Sequence, residues 1–282
     1  MLRRPTVNYI ICLIFAQPID CVHEDPAPRA RSARVAMNDT NAGAPLRALL
    51  YQDVERRLTD ALTRGEWKPG TAIPPERRLA ARFGISLGTL RRAVDELVDA
   101  NILIRQQGRG TFVARHTRDR EVFHFLRVVP ERGPKAYPDV RLVAFARGKA
   151  GRDVAAALAV APGAPVFRIR NVLRLAGTPV IVDDIALAAA RFAGLTERAF
   201  RERGSTIYRF YEEAFGISVV RTRERLRATR ADAAAARLLD VPRGSPLLTI
   251  RRIAHSYRDV PVEYRVSRVD TTRHEYWADI GG

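Results

Sequence analysis

The 282 residues are enough for two domains that each bury a core, and a composition of 46% hydrophobic and 28% charged residues excludes a disordered chain. The formal net charge of +17 comes mostly from arginines spread along the chain; it suits a polyanionic partner and is equally what an arginine-biased coding sequence gives. Both cysteines, Cys12 and Cys21, lie near the N-terminus, which excludes a disulfide framework or cysteine metal site in the rest of the chain and fits a reducing cytoplasm.

The first segment reads as a leader. Arg3 and Arg4 precede an apolar run, Val7 to Ala16, that looks like a short secretory signal but is too short to span a membrane. A polar, low-complexity stretch follows, and Met37-Asn38-Asp39-Thr40 opens an ordinary soluble N-terminus. Residues 1–36 are therefore expected to be unstructured, with translation starting at Met37.

Residues 45–114 follow the pattern of a winged helix-turn-helix. Leu50, Val54, Leu58, Ala61 and Leu62 share one face of a helix over 49–64 that ends at Gly65. A second helix begins at Pro75, carries Leu79, Ala80 and Phe83, and closes at Gly84. Ser86 caps a third helix with Leu90, Val94, Leu97 and Val98 facing inward. Two short strands, 102–104 and 111–113, flank the glycine-rich tip Gln106-Gln107-Gly108-Arg109-Gly110.

A charged linker, 115–121, separates this module from a second one over 122–280, where long alternating strands predominate and the class becomes α+β. That half contains a repeat. Leu158 through Arg170 resembles Leu239 through Arg251, each running from an alanine-rich helix end through a Pro/Gly turn into a strand. The duplication predicts two similar halves sharing one antiparallel sheet.

In a helix-turn-helix the second of the paired helices enters the major groove and presents its first turns to base edges. Ser86, Gly88, Thr89 and Arg91 occupy those turns. Arg91 can fork onto guanine, Thr89 can meet a phosphate or a thymine methyl, and Gly88 allows close backbone approach. Arg77 starts the preceding helix, where phosphate binds. Gln107, Gly108 and Arg109 form the wing tip, from which Arg109 reaches the adjacent minor groove.

The segments Pro75-Glu76-Arg77-Arg78-Leu79-Ala80, Phe83-Gly84-Ile85-Ser86, Thr89-Leu90-Arg91-Arg92-Ala93 and Gln107-Gly108-Arg109-Gly110-Thr111-Phe112-Val113 resemble the GntR family signature. Two positions depart from it: Pro75 replaces a small polar residue, and Leu87 stands where many members carry a base-reading arginine. The remainder resembles the UTRA domain of the HutC branch, through the turn at 162–165, Thr206-Ile207-Tyr208, Phe215-Gly216-Ile217 and Pro261-Val262-Glu263-Tyr264-Arg265-Val266-Ser267. The resemblance implies a chorismate-lyase-like fold and a homodimer, a repressor whose grip on operator DNA is set by a small metabolite.

Candidate effector contacts are Arg168 and Arg170, which alternate onto one strand face and suit a carboxylate or phosphate. Asp183, with Asp184 beside it, either joins them or neutralises them as an ion network. Thr206 and Tyr208 at a helix start offer hydroxyls and free N–H groups to an anion. Glu263 and Arg265 either contact the ligand or form a surface ion pair. His116, His124, His255 and His274 have no ligand-like spacing, and no catalytic triad or phosphate loop is present, so neither a metal, a cofactor nor an enzymatic activity is expected.

Overall fold

The computed structural model describes residues 43–117, 125–135 and 137–278, with side chains from Tyr51 onward; the expected leader and linker residues 118–121 lie outside them. The described residues form one compact unit.

The winged helix consists of α1 (Gly43–Thr63), α2 (Glu76–Phe83), α3 (Leu87–Asp99) and the hairpin β1 (Leu103–Gln106) and β2 (Gly110–Val113). The first helix starts six residues earlier than its apolar periodicity indicates, with Pro45 in the first turn, where a missing N–H costs nothing. Gly84, left-handed at φ 66°, ends α2, and the Ser86 side chain accepts the Thr89 N–H at 3.1 Å to start α3. Leu90, Ala93, Val94 and Leu97 form the buried stripe of α3. Gly108, at φ 70°, makes the tight wing tip. The segment Thr71–Ile73 pairs with β2 through Ile73 N–H to Thr111 O and Val113 N–H to Thr71 O, both 2.9 Å. Its lack of alternating apolar residues and the following Pro74-Pro75 concealed this pairing from the sequence reading.

The second module is a six-stranded antiparallel sheet in the order β4-β5-β6-β9-β8-β7, built from β4 (Asp139–Lys149), β5 (Pro165–Leu175), β6 (Thr178–Ala188), β7 (Arg221–Arg230), β8 (Pro246–His255) and β9 (Pro261–Val269). Helix α4 (Arg152–Leu158) connects β4 to β5, and α7 (Ala233–Leu239) connects β7 to β8. These are the two halves of the repeat, meeting at the central β6–β9 pair. Their turns match bond for bond. Gly163 N–H donates to Ala150 O and Gly244 N–H to Ala231 O, while Val160 N–H donates to Ala155 O and Val241 N–H to Ala236 O. Both helices end on a left-handed non-glycine residue, Ala159 and Asp240. The short strands β3 (Val128–Pro130) and β10 (His274–Tyr276) pair separately.

Both sheet faces are partly covered. On the back, α4 packs on Val166, Ala186 and Ala188, and α7 packs on Val172, Val182 and Leu247. On the front lie α5 (Glu197–Arg201) and α6 (Ile207–Phe215), whose Phe200, Tyr208 and Tyr211 join Phe167, Ile169, Ile185 and Leu187 in an aromatic-rich core.

The β8–β9 turn docks the sheet onto the winged helix. Tyr257 enters the winged-helix core, and Arg258 pairs with Asp60 of α1. The chain leaving the wing is also held. Arg115 reaches Glu213 at 3.3 Å, and buried His116 donates its backbone N–H to Glu212. The start of the expected linker is therefore packed against α6.

Candidate functional site

The candidate DNA-contacting residues occupy α2, the start of α3 and the wing tip. Arg77, Ser86, Gly88, Arg91, Gln107, Gly108 and Arg109 are exposed and Thr89 is half-buried. The hydroxyls of Ser86 and Thr89 lie 2.9 Å apart and belong to the helix cap. A Cβ on Gly88 would meet nothing closer than Ser86 Oγ at 3.9 Å, so the fold itself does not demand glycine; what glycine leaves is an open outer surface. Arg91 Nε is 2.9 Å from Glu76, which also holds Arg105 at 3.3 Å. An exposed pair of this kind contributes about 0–1 kcal/mol, so it orients Arg91 at small cost to any contact that replaces it. The guanidinium of Arg109 stands 5.7 Å from the Phe112 ring centroid.

The candidate effector residues do not form one group, which corrects the sequence reading. Arg168 and Arg170 lie on the back of the sheet. Arg170 is paired with Asp184 at 2.6 Å, and Arg168 donates to Lys149 O at 3.0 Å. Asp183, Tyr208, Glu263 and Arg265 lie on the front. Neighbouring residues of a strand point to opposite faces, so Asp184 neutralises Arg170 while Asp183 has no part in that network. Nor are Glu263 and Arg265 a surface pair: Glu263 is 0% exposed.

On the front, Arg265 reaches both oxygens of Glu263 at 2.8 and 2.9 Å and Asp183 at 3.0 Å. Tyr208 and Tyr211 donate to Glu263 at 3.2 and 2.8 Å, and Ser267 donates to Asp183 at 2.5 Å. Burial, reinforced by the Glu263 charge, pushes both tyrosine hydroxyls well up, so they remain protonated donors. Arg252 is paired with Glu224 at 2.5 Å and donates to Phe125 O.

Of these groups, Asp183, Tyr208, Arg252 and Arg265 line a cavity of about 40 Å³, together with Asn171, Arg203 and Phe125. Asn171 Oδ1 and Thr206 Oγ1 lie in this region, buried and without a hydrogen bond. Thr206 is the N-cap of α6 but makes no side-chain cap bond. Asn171, Arg203 and Arg252 were missed in the sequence, although a signal was present. Continuing the two repeat copies by one residue aligns Asn171 with Arg252.

His116 touches two residues of this wall, with ring centroids 5.6 Å from Phe125 and 5.8 Å from Tyr208. A larger cleft of about 680 Å³ lies between α1 and the β8–β9 turn, where Arg221 pairs with Asp259 and Arg258 with Asp60. It is the seam between the modules. Among the described residues there is no metal-binding cluster, and no helix is long and apolar enough to cross a membrane.

Residues 50–113 match the bacterial regulatory proteins of the gntR family, and residues 135–275 match the UTRA domain. The chain is 31% identical over 223 residues to the probable transcriptional regulator PhnF of Escherichia coli (strain K12), covering 77% of this chain and 89% of that protein. It is 26% identical over 221 residues to the HTH-type transcriptional repressor NagR of Bacillus subtilis (strain 168), covering 77% and 89%. The solved ligand-binding domain of a GntR-family transcriptional regulator from Bordetella bronchiseptica is 32% identical, with a TM-score of 0.54 over 60% of this chain and all of that one.

The chain belongs to the GntR family of bacterial regulatory proteins, in the branch that carries a UTRA domain. It is a DNA-binding transcriptional regulator rather than an enzyme, and the UTRA sheet is its effector-binding module.

Proposed function

We propose that this chain is a homodimeric repressor working in the cytoplasm, divided into a DNA-binding module at 45–114, a linker at 115–121 and an effector-binding and dimerising module at 122–280. In this reading Arg91 and Arg109 read the operator, in the major and minor groove respectively. Ser86, Gly88 and Thr89 set the approach of α3, Arg77 holds phosphate, and Gln107 and Gly108 shape the wing tip. The effector occupies the front-face cavity, with an anionic group at the N-terminus of α6, where unpaired N–H groups and the helix dipole favour negative charge. Thr206 and Tyr208 belong to that end; Asp183, Glu263 and Arg265 form the ion-paired floor. Arg168 and Arg170 lie apart from this cavity and line a separate cleft of about 420 Å³ on the back of the sheet.

The observation that carries this reading is the position of His116. It follows the wing strand by three residues and packs on Phe125 and Tyr208 of the cavity wall. A metabolite larger than the cavity displaces that wall and with it the chain leaving the wing. Such a ligand changes DNA affinity only by the difference in its own affinity for the two arrangements. The test is an anisotropy titration of an operator selected from random duplexes, with and without a stabilising metabolite. Linkage requires DNA to change ligand affinity by the same factor that ligand changes DNA affinity, about 5–150-fold for typical coupling. Equal DNA affinity at saturating ligand refutes the switch.

A further inference from the structure

We infer that Leu87 reads the C5-methyl group of a thymine in the operator, so that α3 selects one base by apolar contact and another by hydrogen bonding; this rests on the major-groove placement of α3 proposed above. Leu87 is the first residue of α3. By spacing it extends the inward stripe of Leu90, Val94 and Leu97, yet its surroundings differ. Those three are 0% exposed, whereas Leu87 is half-buried. Phe83, Ile85 and Val98 pack against the winged-helix core from its rim, and Leu87 is not one of the hydrophobics that do so. An apolar side chain left partly in water gains by moving onto another apolar surface. The apolar group that the major groove displays on its base edges is the thymine methyl.

The polar side chains beside Leu87 are already occupied. Ser86 Oγ accepts the Thr89 N–H at 3.1 Å and lies 2.9 Å from the Thr89 hydroxyl, so both hydroxyls belong to the helix cap. Gly88 presents no side chain, and even a Cβ there would meet nothing closer than Ser86 Oγ at 3.9 Å. The backbone can therefore approach the groove closely and carry the leucine with it. What this turn offers to the bases is an isobutyl group with clear access.

Arg91 follows one turn later. Side chains four residues apart on a helix are neighbours, with Cβ atoms about 5–6 Å apart, and base pairs follow one another at about 3.4 Å. The thymine read by Leu87 therefore lies within about two base pairs of the guanine on which Arg91 forks. Glu76 holds Arg91 Nε at 2.9 Å, which leaves the two terminal nitrogens for that fork.

The test uses the full chain and an operator selected from random duplexes. Each thymine of that operator is replaced in turn by deoxyuridine, which removes the methyl group and leaves the hydrogen-bonding edges intact. Fluorescence anisotropy should find one thymine in each half-site whose replacement weakens binding about fourfold, as loss of one buried methyl contact does. It should lie within two base pairs of the position relaxed by Arg91→Ala. Leu87→Gln should bind the thymine and uracil duplexes equally, with a melting temperature near that of the wild type. Leu87→Arg, taken through a fresh selection, should replace that thymine by guanine. A leucine with a merely structural role would leave the thymine-to-uracil ratio of the wild type unchanged in Leu87→Gln, and that result overturns the assignment. So does the absence of any responding thymine in the wild type, or retention of the thymine by Leu87→Arg. If Arg91→Ala still relaxes its base pair in those cases, α3 reads the operator without Leu87; if it does not, the major-groove placement fails as well.

Discussion

Replacing Arg265 by Met tests the ion-paired floor directly. The guanidinium serves Glu263 and Asp183, which are 0% and 2% exposed, at 2.8 to 3.0 Å. Removing it leaves two buried carboxylates without their cation, and breaking a buried pair from one side costs about 3–5 kcal/mol. Tyr208, Tyr211 and Ser267 continue to donate to the two acids, which places the expected loss toward the lower end. For a unit of this size each kcal/mol moves the melting temperature by about 2–4 °C, so scanning calorimetry should record a fall of roughly 6–20 °C. Combining Arg265→Met with Glu263→Gln and Asp183→Asn should recover part of the loss, because the stranded charges are gone. A fall below about 2 °C in the single variant corresponds to less than about 1 kcal/mol, the value of a solvated pair, and would refute the buried network.

Other expectations address the remaining elements. Arg91→Ala should weaken operator binding by about 1–3 kcal/mol and relax preference at one base pair, whereas Arg109→Ala should lose the preference for a narrow A/T minor groove; footprinting separates the two. Burial lowers the pKa of His255 below its ordinary 6.5, with Asp259 opposing and Arg221 and Arg223 assisting. The folded state therefore favours the neutral ring, and the stability this gives is complete above pH 6.5 and lost as pH falls through 6.5 toward the folded pKa. Urea midpoints at pH 7.5 and 5.5 should fall further for wild type than for His255→Gln, and equal falls would remove His255 as the cause. Ala159→Gly relieves a left-handed alanine at φ 50° and should raise stability by about 1 kcal/mol in the same urea assay; a decrease would contradict that conformation. Tyr257→Ala should cost about 3–5 kcal/mol, as other large aromatic truncations in a core do, and should increase protease cutting near residue 115 if the turn holds the modules together.

The winged helix was legible because its punctuation is chemical. Gly65, Gly84 and the Gly108–Gly110 tip occupy positions where few other residues serve, and Ser86 caps the helix that follows it. The repeat was legible for the same reason, through its Pro/Gly turns. The proposed effector pocket was not. Alternation correctly put Arg168 and Arg170 on one face, but it cannot choose between the faces, since a cleft of about 420 Å³ beside these arginines lies on the back while α5 and α6 close over the front. Burial of Glu263 was hidden as well, since a Glu-x-Arg pair on a strand reads the same whether water or two tyrosines surround it. The repeat pairs Asn171 with Arg252, but that Asn171 is buried with its Oδ1 unsatisfied is a property of tertiary packing.

The outermost strands of the sheet carry different risks. A free strand edge is a template for another chain, and nothing in its backbone distinguishes a correct partner from a copy of itself. β7 interrupts its outer edge with Arg221, Arg223, Arg225, Arg227 and Arg230, so a second β7 laid alongside at about 4.8 Å would bring arginine rows together. β4 is milder, with Leu142 to Ala146 forming an uncharged middle between charged ends. The arginines of β7 therefore oppose the addition of a strand at that edge more strongly than the uncharged middle of β4 does at the other.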